Sequence, residues 1–147
     1  MNNINKRSSR SLFALTIAAL AVLTLQGWTG DSVNLFAKFP DGPVTHSLNG
    51  LTLALRGAGK MEVFHAVTGI LLSALAIAIL ILAFRSDSNR GSRISAAVGL
   101  SSILSAAYGG VAFVFSGFLD GGNSAQMGGS YIAAYASFFL ILYFNKK

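Results

Sequence analysis

Glu62 and His65 are the residues of this sequence best suited to chemistry. Three positions apart on a helix, they share one face, with Gly69 one turn further along. A neutral imidazole can ligate iron through one ring nitrogen. A carboxylate nearby can supply charge to a reacting centre. An ionisable group at mid-bilayer costs roughly 2.5–3.5 kcal/mol when charged, so such a pair in or beside a membrane span marks a candidate site. The plainer alternative is hydration, because both residues fall within about a turn of the membrane interface. On residue types alone, both readings stay open.

The elements that must position this pair are transmembrane helices. The chain has 147 residues, 53% of them hydrophobic and only 11% charged, with a mean hydropathy of +0.61. That balance suits lipid rather than water, and the length suits one domain. Four apolar stretches, at about 12–28, 61–84, 94–118 and 127–144, approach or exceed the ~18 residues that span a bilayer core. None contains a proline; Pro40 and Pro43 both fall in the first connection. Backbone groups in hydrocarbon must bond internally, so these runs must be helical. Barrel strands would be shorter and alternating. The expected fold is an all-α integral membrane domain, a four-helix transmembrane bundle.

Charge orients the bundle. Of the 11 basic residues, Lys6, Arg7, Arg10, Arg85, Arg90, Arg93, Lys146 and Lys147 flank one side. Lys38, Arg56 and Lys60 flank the other, offset by Asp31 and Asp41. The bias places both termini in the cytoplasm and the chain in the plasma membrane. The net charge of +6 is then explained by topology and anionic headgroups, with no nucleic-acid partner. The basic tail followed by 12–25 also has the form of a secretory signal. No small-x-small site follows, as the run passes through Gln26, Gly27 and Trp28, which predicts an uncleaved first helix. Cysteine is absent, which excludes disulfides, thiolate metal sites, a cysteine nucleophile and covalently attached c-type haem.

The second and third connections are short, about nine residues each, so the last three helices should pack as antiparallel neighbours. The first connection is long. In it Val44, Leu48, Leu51 and Leu55 recur at helical spacing beside His46, Asn49 and Arg56, the pattern of a short amphipathic helix on the outer membrane surface. An ordinary polar loop with scattered leucines is the alternative. Small residues form strips at Gly69, Ser73 and Ala76, at Gly99, Ser102 and Ala106, and at Gly129, Ala133 and Ser137. Such strips let helices approach closely, and beside a ligand-bearing residue they leave room for a flat cofactor.

Glu62-Val63-Phe64-His65-Ala66-Val67-Thr68-Gly69, at the start of a second span after a long outer loop, resembles the first half of the haem A synthase family. Leu25-Gln26-Gly27-Trp28-Thr29-Gly30 is similar to that family's first-helix end, and Tyr108-Gly109-Gly110-Val111-Ala112 to its third-helix end. The resemblance covers about 12–144, one four-helix half of a protein that usually has two. It implies a b-type haem with His65 as axial ligand, Glu62 as a catalytic site carboxylate and Gly69 beside the ring, serving haem modification or electron transfer. Helix 4 carries no histidine; Met127 stands near that place and could serve as a thioether ligand. The family's arginine after the histidine is Ala66 here, its outer cysteine pair is missing, and so is its second half.

Other readings compete. A histidine four residues before a glycine also resembles the succinate dehydrogenase anchor subunit, which usually has three spans. The second class is a haem-free accessory or structural subunit of a respiratory-type membrane complex, with Tyr131, Tyr135, Phe138 and Phe139 serving only as packing. Either class predicts a homodimer or membership of a larger complex. A transporter is disfavoured, because no proline or buried charge interrupts the span interiors.

Overall fold

The computed structural model describes residues 3–36, 44–86 and 88–145. Pro40 and Pro43, with Lys38, Asp41, Lys146 and Lys147 from the charge argument, lie outside the described residues, as do the side chains of Lys6 and Arg7. Five helices follow in order: α1 Asn3–Phe36, α2 Leu48–Ala58, α3 Lys60–Arg85, α4 Arg90–Phe115 and α5 Gly121–Phe144. Four of them, α1 from Ser8 and all of α3, α4 and α5, are long and apolar enough to cross a membrane. The protein is a multi-pass, all-helical membrane bundle.

The helix ends follow local chemistry rather than hydropathy. Asn89 caps α4 by accepting from the Ser92 amide at 2.9 Å, and Asp120 caps α5 by accepting from the Gly122 amide at 2.8 Å. The Asp120 cap explains why α5 starts at Gly121, before the apolar run at 127 begins. α1 likewise outruns its apolar core at both ends; its 34 residues reach about 51 Å at 1.5 Å per residue. α4 stops short of 118, because Gly117 and Phe118 take left-handed backbone at φ 69° and 64°. Phe118 is an unusual residue for that region, and burial of its ring against Val114 compensates.

Around the bundle the spans form a ring, α1–α3–α4–α5 and back to α1. The pairs α1/α4 and α3/α5 sit on the diagonals. The tightest seam joins α4 to α5. There Gly99 faces Phe138, a ring with no exposure; a Cβ at Gly99 would lie 2.6 Å from Phe138 Cε1. The core gathers Leu12, Leu23, Leu72, Ile79, Ile103 and Ile141 from all four spans.

The amphipathic segment of the first connection is helix α2. Ser47 caps it, accepting from the Gly50 amide at 3.0 Å. Its buried face is Ala54 and Ala58, with Leu51, Leu55 and Val44 alongside, against Val114 and Phe118 at the end of α4. Leu48 does not join that face. It is the first residue after the cap and is 81% exposed. Among the described helices, α2 meets α3 and α4.

Candidate functional site

His65 lies in the second turn of α3, where that helix faces the end of α1. Its Nδ1 is 3.0 Å from Thr29 Oγ1 and its Nε2 is 3.2 Å from Gln26 Nε2. The same Gln26 Nε2 donates to the His65 carbonyl at 3.1 Å. That carbonyl can only accept, so the nitrogen end of the Gln26 amide must point to it. The remaining roles then follow. Gln26 donates to His65 Nε2, the proton sits on Nδ1 and is given to Thr29, and the Thr29 hydroxyl donates to the Gln26 carbonyl at 3.1 Å. The Thr68 hydroxyl lies within hydrogen-bond reach of Gln26 Oε1 and of the Phe64 and His65 carbonyls. The cluster is closed: a neutral imidazole, a carboxamide and two hydroxyls tie α1 to α3.

Two glycines make the approach possible. A Cβ at Gly30 would stand 3.2 Å from His65 Cε1, and one at Gly69 would stand 3.3 Å from Gln26 Nε2. Gly69 therefore opens space, and the Gln26 amide fills it. Thr29 has no exposure at all, and Gln26 and His65 are half-buried. Gln26, Thr29 and Thr68 were missing from the residues singled out for chemistry. The available signal was a polar pair three residues apart, on one face, at the end of the first apolar run.

Glu62 does not join this cluster. It is 7% exposed, while Lys60, Met61, Val63 and Phe64 around it in sequence are all exposed. Its Oε2 is buried without a hydrogen-bond partner. Met127 lies elsewhere again. It packs on the α4 seam, where a Cβ at Gly110 would stand 3.3 Å from its sulfur and one at Gly109 would stand 3.2 Å from its Cγ. His65 on α3 turns to α1, and Met127 on α5 turns to α4, so the two do not converge. Both ring nitrogens of His65 have hydrogen-bond partners on α1. Among the described residues no group of three or more His, Cys, Asp or Glu could hold a metal ion.

A second polar feature lies on the exposed face of the α4–α5 seam. Gln126 and Ser130 both reach Ser105 Oγ, at 3.2 and 3.0 Å. Ser101, Ser102 and Gly129 continue the same open groove. Compared with family models, curated proteins and solved structures, the chain matches none. Fold and site together define a class, the four-span helical membrane bundle whose first two spans are joined by a histidine-centred polar clasp.

Proposed function

We propose that this protein is a haem-free structural or accessory subunit of a membrane complex, built on a bundle related in plan to one half of haem A synthase. One observation carries the reading: both ring nitrogens of His65 are engaged by Gln26 and Thr29. An axial ligand needs one nitrogen free for iron, and here each has a structural task. The Glu-x-x-His spacing then serves two separate ends, with His65 fastening helices and Glu62 buried at the mouth of the bundle.

The partner of such a subunit would meet the exposed, serine-lined groove of α4 and α5, beside which the Gln126 amide donates to Ser105. Polar side chains in that position favour helix association. We place the chain in the plasma membrane with both termini cytoplasmic, on the distribution of Lys and Arg. It works as a homodimer or within a larger, respiratory-type assembly.

The test is an absorption and pyridine-haemochrome spectrum of detergent-purified protein expressed with ample haem supply. No Soret band is the expected result. A stoichiometric Soret band that His65→Ala abolishes would overturn this reading and establish the haem-binding one. For assembly, mass photometry in native-lipid discs should show a dimer or a larger complex, and a monomer at every concentration would count against it.

A further inference from the structure

Among the described residues, five buried side-chain polar atoms lack a hydrogen-bond partner. Four of them lie at the end of the bundle opposite the clasp, where α3 ends, α4 begins and α5 ends: Ser86 Oγ, Ser92 Oγ, Arg93 Nε and Asn145 Nδ2. Ser86 and Ser92 are 3% and 0% exposed. Each of the four atoms can donate, and Arg93 Nε can do nothing else. A buried donor left unpaired carries its full desolvation penalty. Such a cluster calls for acceptors from outside the chain.

Three contacts hold these elements to one another. The Asn89 carboxamide donates to the Phe144 carbonyl at 3.1 Å, which sets Asn145 beside the start of α4. Gly91 backs onto the Phe144 ring, whose Cε2 stands 2.8 Å from a would-be Cβ. The Arg93 guanidinium lies over the Phe84 ring, 5.8 Å from its centroid, and so joins the first turn of α4 to the end of α3. Ser92 stands between Gly91 and Arg93 in that turn. The local charge is mostly of one sign. The stretch 85–93 carries Arg85, Arg90 and Arg93 against one acid, Asp87, which lies outside the described residues. Asn89 Oδ1 accepts the Ser92 amide at 2.9 Å, which leaves the Arg90 and Gly91 amides outside the ladder of α4. A helix start of this kind favours negative charge.

We propose that this end of the bundle binds a phosphate group at the first turn of α4. Arg93 and Asn145 are half-buried and meet it from the surface, and the Ser92 and Ser86 hydroxyls are the buried donors. A tetrahedral oxyanion presents acceptors in several directions and so suits donors carried by three elements; a planar carboxylate suits them less well. Two sources offer that group: the headgroup of an anionic phospholipid in the adjacent leaflet, and inorganic phosphate in the aqueous phase.

The experiment uses the full chain, delipidated in neutral detergent. Native mass spectrometry with added phosphatidylglycerol or phosphatidylcholine tests the lipid. Thermal melts in inorganic phosphate, against sodium chloride at equal ionic strength, test the free anion. Selective retention of phosphatidylglycerol is the expected result if the source is lipid, and a phosphate-specific rise in melting temperature if it is soluble. Arg93→Gln should weaken whichever binding is seen about tenfold or more, the loss of one charge-assisted hydrogen bond. Arg10→Gln removes the same charge from an exposed position at the same end of the bundle and should change binding far less. Ser92→Ala should also weaken binding, yet melt no lower than the unmutated chain without ligand, because its hydroxyl has no partner to lose. The site would be overturned if neither probe bound, or if Arg10→Gln and Arg93→Gln lost binding equally. A ligand-free Ser92→Ala that melts lower would overturn it too. If Arg93→Gln fails to fold, the selectivity of the unmutated chain and the Ser92→Ala comparison decide the matter.

Discussion

Nδ1 of His65 lies 3.0 Å from the hydroxyl of Thr29, and the Gln26 amide nitrogen, which also donates to the His65 carbonyl, assigns the imidazole's proton to that Nδ1. With Nδ1 donating, Nε2 is left as an acceptor, and Gln26 fills it at 3.2 Å. A side chain that sequence alone offers as a metal ligand is thereby committed to joining two helices.

The clasp should be measurable as coupling between α1 and α3. In a double-mutant cycle of Gln26→Leu and His65→Leu, the interaction energy should be about 1 kcal/mol, within the ~0.6–2 kcal/mol seen for interhelical bonds in bilayers. Thr29→Val should cost about 1 kcal/mol or more, because it strands a buried N–H. Reversible unfolding in mixed micelles checks both, and strictly additive single mutants would remove the clasp as a unit.

Gly99 should tolerate nothing larger. Alanine there puts a Cβ 2.6 Å from Phe138 Cε1, and neither the ring nor the helix backbone has free space. Overpacking of this kind costs about 1–3 kcal/mol. Gly99→Ala together with Phe138→Leu should recover much of the loss, and thermal melts of the three variants decide it.

Orientation can be read by membrane-impermeant labelling of sealed cells. Cysteines at the exposed positions Asn49 and Ala125 should react, and one at Asn89 should not. The reverse pattern would invert the topology. A mature chain beginning near Thr29 by mass spectrometry would show a cleaved first helix and three remaining spans.

Haem offers the sharpest division between the two site readings. Under the clasp, His65→Gln preserves some hydrogen bonding, so the variant should express and insert normally with no change in a featureless visible spectrum. Under ligation, the same change removes the iron-binding nitrogen and with it any Soret band. Met127→Leu should be silent in the first case and shift the spectrum in the second.

The spans were legible because lipid imposes a blunt rule: long runs without charge must be helices. Helix ends were less so, since caps such as Asp120 and the left-handed pair Gly117 and Phe118 act through single bonds and torsions that hydropathy averages away. The candidate site was half legible. Glu62 and His65 stand out by type, but their separate fates depend on the order of helices in the ring. The hydropathy of α3 has no helical periodicity, so no pattern says which side meets α1. The seating of α2 is equally hidden, because two alanines, Ala54 and Ala58, form the buried face that the leucine pattern alone does not mark.

The clasp also bears on how the chain is made. α1 and α3 leave the ribosome before α4 and α5, and between them they carry Gln26, Thr29, His65 and Thr68. A nascent chain with only these two helices in the bilayer already holds both halves of its polar fastening. It can shelter those groups from lipid before α4 and α5 have been synthesised, so the hairpin's insertion does not wait on the finished bundle.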